Sequence, residues 1–162
     1  MQTMELIKQL FPTDQKYQIT NIKEEKQNEE YEGLTFRINT HDFRSRLAKK
    51  TPKKKGYFVV FWYKNINNEN QAYSFDETPD KVIITILDDD KKGQFIIPKL
   101  ELLKRGILRT KDTKGKMAIR VYPKWEKELN KNAMKVQKCQ EIYFIDLSNE
   151  IDSEQMLSYY FE

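Results

Sequence analysis

Between residues 44 and 55 the chain carries Arg44, Arg46, Lys49, Lys50, Lys53, Lys54 and Lys55, with no acid among them. Cationic groups at this density do the chemistry of anion contact. Arg clamps a phosphate through parallel N–H donors, and Lys supplies a mobile point charge. Leu47, Ala48, Thr51 and Pro52 are interleaved with them, so the segment is expected to be partly buried, with its charges in defined places. Gly56 then leads into the apolar aromatic run from Tyr57 to Tyr63. A rigid basic turn joined to an aromatic strand has the makings of a polyanion surface. Alternation places Trp62 and Lys64 on one face of that strand, and Lys116, Arg120 and Tyr122 on one face of another. Stacking of bases on Trp or Tyr, with phosphates paired to Lys and Arg, is the general means of holding a single strand, at about 1–3 kcal/mol per stacked base. Lys99 and Trp125, at the two ends of a second cation-rich stretch, complete the expected nucleic-acid-binding set.

Other chemistries find less material. The single cysteine, Cys139, excludes an intrachain disulfide and a multi-cysteine zinc site, and the lone His41 leaves too few imidazoles for a His-rich metal centre. Five glycines scattered at 33, 56, 93, 106 and 115 form no phosphate-cradling loop. Cys139 reads as a packed small residue and His41, beside Asp42, as a surface or capping pair. Net charge is only +4, so the chain is no generic polycation. Its charge is polarised instead: residues 76 to 90 carry Asp76, Glu77, Asp80, Asp88, Asp89 and Asp90 against Lys81 alone, which sets a repulsive surface against an attractive one. No stretch approaches the ~20 apolar residues needed to span a bilayer, and the N-terminus lacks a signal-peptide layout, so a cytoplasmic protein without a membrane partner is expected.

The elements that must position these residues follow from hydrophobic period. Met4, Ile7 and Leu10 space a short helix that Pro12 stops, and residues 21 to 30 are polar without period, a loop or frayed helix. Leu34, Phe36 and Ile38 alternate as a half-buried strand. The run from 57 to 63, apolar on both faces, is expected to be a central strand. Two strands, 82 to 87 and 93 to 98, bracket Asp88 to Lys92 as a hairpin. A short helix at Leu100 to Leu103 is closed by Gly106, and Met117 to Tyr122 alternates as a strand. Residues 125 to 140 read as a helix with Leu129, Ala133 and Val136 inward and Lys127, Lys131, Lys135 and Lys138 outward. A last strand at 142 to 147 precedes an acidic tail helix with Met156 and Leu157. This order predicts one α+β domain over residues 1–162, a single mixed β-sheet flanked by helices, with the first and last helices as appendages.

Several spaced blocks line up beyond these periods: Arg44 to Val59, Phe61-Trp62-Tyr63-Lys64, Gly93 to Lys99, Gly115-Lys116, Arg120-Val121-Tyr122-Pro123 and Trp125, ending in Ala133, Gln137 and Gln140. In order and spacing they resemble the MepB family over roughly residues 30 to 147. The resemblance implies a core similar to the PD-(D/E)xK endonuclease fold. That chemistry needs two carboxylates on a divalent metal, with a Lys beside them. An acid, any residue, then Lys occurs at Asp14/Lys16, Glu24/Lys26, Asp89/Lys91, Asp90/Lys92 and Asp112/Lys114, about as often as this composition gives by chance. Asp80 and Asp89 bracket a strand that would hold them on the order of 30 Å apart, and Gln94 and Ile96 stand where an active enzyme would want an acid. The expectation is therefore a non-catalytic nucleic-acid-binding protein with a degenerate active site, no catalytic residues, no metal and no cofactor. It favours RNA or single-stranded DNA over duplex DNA, since no groove-entering motif is present. A module for an acidic protein partner or a small ligand, and a divergent metal nuclease using Glu101 or Asp80, are the alternatives.

Overall fold

The computed structural model describes residues 1–12 and 16–162; Asp14, of the Asp14/Lys16 pair, lies outside the described residues. Helix α1 (Gln2–Leu10) buries Met4, Leu6 and Ile7, and its open N-terminus is closed by Glu32, whose carboxylate accepts the Thr3 N–H at 2.9 Å and the Thr3 hydroxyl at 2.7 Å. Strand β1 (Ile19–Glu24) stands where a loop or frayed helix was expected. Its side chains are exposed but for half-buried Ile19, and its register slips between Thr20 and Lys23, so this strand carries no hydrophobic period to read. A 3-10 segment (Lys26–Tyr31) leads to β2 (Leu34–Ile38) and β3 (His41–Leu47).

The next stretch departs from a single-strand reading. Strand β4 (Lys49–Lys50) and the turn after it precede β5 (Tyr57–Val60), the chain breaks at buried Phe61, and β6 (Trp62–Lys64) pairs with β7 (Asn70–Ala72). The hairpin β8 (Lys81–Asp88) and β9 (Lys91–Pro98) forms as expected, its tight turn using Asp89 at φ +56°. Helix α2 (Lys99–Lys104) follows, and Gly106 takes φ +72° just beyond it. Strand β10 (Ala118–Val121) comes before α3 (Lys131–Gln140), a 3-10 turn, β11 (Phe144–Asp146) and α4 (Ser153–Phe161). Helix α3 starts later than its sequence period implies. Glu128 sits at φ +56°, which interrupts any helix, and Asn130 caps the N-terminus by accepting the Ala133 N–H at 2.8 Å. Of its expected inward residues Ala133 is buried, whereas Val136 is 40% exposed.

The main sheet has the order β1-β2-β3-β8-β9-β11, parallel only between β3 and β8, so it is mixed and flanked by helices. Strand β8 is buried on both faces: Ile83 joins one core, and Val82, Ile84 and Ile86 join the other. The first core lies under α1 and α4, with Phe11, Phe36, Phe43 and Tyr160 at its centre. Both terminal helices are thus part of that core, and the Tyr160 hydroxyl reaches Gln94 at 2.6 Å within it. The second core is covered by a three-stranded sheet, β10-β5-β4, together with α2. The strand expected to be central is central, but in this smaller sheet. No helix among the described residues is long and apolar enough to cross a membrane.

Candidate nucleic-acid interface

Strand β3 decides the fate of the first two cations. Alternation turns Phe43 toward the first core and Arg44 and Arg46 toward the second, where both are buried, with side chains 7% and 0% exposed. Their counter-ion is Glu25, just ahead of the 3-10 segment. Its Oε1 lies 3.0 Å from Arg44 Nε and 2.7 Å from Arg46 Nη1. Arg46 also donates to the carbonyls of Val60 and Ser45 and to Asn28 Oδ1, while the Tyr73 hydroxyl donates to Glu25 Oε2. The Arg44 guanidinium lies 3.6 Å from the Tyr73 ring centroid. Burial raises the Glu25 carboxyl pKa, but attraction and hydrogen bonds from Arg46 and Arg44 outweigh it and hold the group below its ordinary value. Arg44 and Arg46, expected at a phosphate surface, are instead structural. The reason is a carboxylate delivered from a segment whose sequence has no period.

The five lysines that follow do reach solvent. Lys49 and Lys50 are held in register by pairing with Phe58 and Tyr57, and Lys53, Lys54 and Lys55 are exposed in the turn. The turn is anchored at both ends. Arg120 donates to Thr51 Oγ1 at 2.8 Å and to the Lys55 carbonyl at 3.2 Å, and Lys55 Nζ donates to the Lys127 carbonyl at 2.6 Å. Gly56 turns at φ +81° directly against the Tyr122 ring, where a Cβ would stand 2.6 Å from a ring carbon. Lys50 comes within 3.5 Å of Asp88, so the acidic stretch meets the basic turn at this corner and the two are less segregated than the sequence implies. Asp88 accepts from the Tyr57 hydroxyl at 2.6 Å, which depresses its carboxyl, and Tyr57 OH in turn accepts from Trp125 Nε1 at 3.1 Å.

Beside the anchored turn lies a groove of about 510 Å³ between α2, β10 and α3. Lys116, Arg120 and Tyr122, placed on one face by the sequence, all line it. Arg105 and Lys135 join them, a contribution the sequence does not reveal because it depends on how two helices flank β10. Glu101 also lines the groove. Burial raises its carboxyl, but bonds from Arg105 Nε at 2.8 Å and the Tyr143 hydroxyl at 3.1 Å prevail and keep it below the ordinary value.

The remaining expected residues scatter. Lys99 opens α2, 4.2 Å from the Phe75 ring, at the opposite end of the β8–β9 hairpin from Lys50; eight residues of strand separate the two ends, roughly 25 Å. It does not join the turn. Trp125 is wedged edge-on against Tyr57 and Phe144, with Lys91 5.9 Å from its ring centre. Trp62 is half-buried in the β6–β7 ribbon with Lys64 exposed on the same face; Phe61, just before it, donates its N–H to Met117 O at 2.8 Å.

The fold and this surface define an α+β protein with a mixed main sheet, a second layer of small sheets, and a lysine turn pinned beside a cation-lined groove. Comparison with known proteins gives the family: the MepB-like family model matches residues 25–146, and the chain belongs to that family. The crystal structure of MepB is 43% identical and superposes with a TM-score of 0.82, over 93% of this chain and 99% of that one. A bacterial homing endonuclease superposes over 85% of this chain and 81% of its own at 10% identity and a TM-score of 0.46, too distant to speak of activity. No curated protein matches the chain.

Proposed function

We propose that this protein binds single-stranded nucleic acid, RNA or DNA, without cleaving it, along the Lys49–Lys55 turn and the adjoining edge of β10. The observation that supports this reading most is the position of Arg120, which lines the groove and simultaneously holds the turn through Thr51 and Lys55. A flexible lysine run would lose entropy on gathering around a backbone; one already pinned loses less. Lys49, Lys53 and Lys54 supply phosphate contacts, and Lys116 extends the track. The half-buried Tyr122 ring at the groove wall is the platform for a base. Absence of cleavage is proposed because the two most enclosed carboxylates near the basic elements, Glu25 and Glu101, already hold two guanidiniums and an Arg with a Tyr.

Fluorescence anisotropy of a labelled single-stranded RNA, with Mg²⁺ present and the strand run on a gel afterwards, tests this. Saturable binding with the strand intact is expected, weakened at least about tenfold by the double change Lys53→Glu, Lys54→Glu. Absence of binding at low salt, or a cut strand, would overturn it.

A further inference from the structure

We infer that the groove between α2, β10 and α3 is a binding site for a small amphipathic anion, an apolar body carrying one carboxylate, sulfonate or phosphate. This goes beyond strand binding and does not depend on it. The argument begins with what the groove leaves uncovered. Leu102, Ile107, Ile119 and Val136 give it an apolar interior, and Val136 remains 40% exposed although it sits on the face of α3 that turns toward β10. Its volume, about 510 Å³, falls in the range of sites that enclose drug-sized molecules, about 300–1,000 Å³.

Charge selects the occupant. Arg105, Lys116, Arg120 and Lys135 line the groove, against Glu101 as the one lining acid. Glu101 is already held by Arg105 and Tyr143, so it offers little to a cation. Among the described residues neither Lys116 nor Lys135 has a carboxylate within ion-pairing distance. The amide of Gln140 is likewise occupied, accepting from the Tyr122 N–H and donating to the Arg120 carbonyl. An incoming ligand therefore meets ammonium donors and apolar wall, and few neutral polar groups.

A second observation points the same way. A void of about 10 Å³ shares Leu102, Ile107 and Lys116 with the groove and is bordered by Arg44. That guanidinium is in a side chain only 7% exposed, and its Nη1 has no hydrogen-bond partner among the described residues. The void has about the room of one water. The Arg44–Arg46–Glu25 cluster, two guanidiniums on one carboxylate, therefore leaves net positive charge beside the groove as well as along its lining.

The probe is 8-anilinonaphthalene-1-sulfonate, whose fluorescence rises on entering an apolar site, titrated into the full chain in parallel with uncharged N-phenyl-1-naphthylamine. Saturable binding of one sulfonate per chain is expected, at least about tenfold tighter than the uncharged amine. Lys116→Glu and Val136→Asp, both at exposed positions, are each expected to weaken the sulfonate about tenfold or more with the melting temperature preserved. The Lys53→Glu, Lys54→Glu protein is expected to bind it as the parent does, which separates this site from the strand-binding turn. Equal affinity for the two probes, or parent-like sulfonate binding by both groove variants, would overturn the inference.

Discussion

Glu25 is the residue on which the second layer of the molecule turns. A buried carboxylate between two guanidiniums contributes little in excess of an apolar replacement of the whole cluster, but removing one partner strands the others. Glu25→Ala is accordingly expected to cost about 3–5 kcal/mol in urea unfolding, whereas Lys53→Ala is expected to cost less than about 0.5 kcal/mol. The same carboxylate gives a pH signature. Its folded-state value is depressed below the ordinary 4.5, so its stabilisation is fully present above pH 4.5 and is lost as pH falls through the folded value. Melting temperatures followed downward from pH 5 are expected to fall steeply in the parent and less steeply in Glu25→Gln. Parallel curves would show that Glu25 does not carry the effect. None of this was visible beforehand: Glu25 sits in a polar stretch without period, and a carboxylate with two arginine partners 19 and 21 residues away leaves no local pattern.

At the scale of elements, the basic turn is pinned by residues outside it. Gly56 adopts a backbone angle that L side chains resist and abuts the Tyr122 ring. Gly56→Ala is expected to destabilise the protein by more than about 1 kcal/mol and to loosen the turn, read as lower melting temperature and faster amide exchange over residues 51–56. An unchanged exchange pattern would mean that the Arg120 and Lys55 hydrogen bonds suffice to hold the turn. Helix α4 makes a comparable case. Tyr160→Phe leaves the Gln94 Oε1 atom without its donor inside the first core, and a loss of about 1–3 kcal/mol is expected in chemical unfolding. Elements with a strong apolar alternation, β2 and β10, or a strong apolar run, β8 and β9, were legible in the sequence, as was the α2 helix with its glycine. Strand β1, solvent-facing and irregular, was not, and neither was the late start of α3, since a positive backbone angle at Glu128 leaves no mark in a helical period.

For the whole molecule, a net charge of +4 matters less than where the unpaired part of it lies. Lys49, Lys53 and Lys54 meet no carboxylate among the described residues, while Lys50 leans on Asp88 and Lys55 on the 127–128 backbone. Three to five phosphate contacts give an expected slope of log affinity against log salt between about −2 and −3.5 for a single strand. Each lysine removed from the turn is expected to flatten that slope by about 0.7. A slope near −5, about seven contacts, would mean that cations beyond the turn, such as those lining the groove, join the strand.

By itself the sequence determined most of the strands and helices that hold the cores, because apolar periods and runs are written locally within a few residues; β3, which carries Phe43 into the first core from a segment read as a basic turn, was not among them. It also determined family membership, and the exposed lysines of the 49–55 turn. Tertiary structure alone decided that Arg44 and Arg46 turn away from water, because they follow a carboxylate that the chain brings from elsewhere. It alone made the groove, whose walls come from segments spread between residues 97 and 143 and whose cationic lining exists only once α2 and α3 stand on either side of β10. Charge placement and concavity are properties of packing between distant segments, and no period along the chain encodes them.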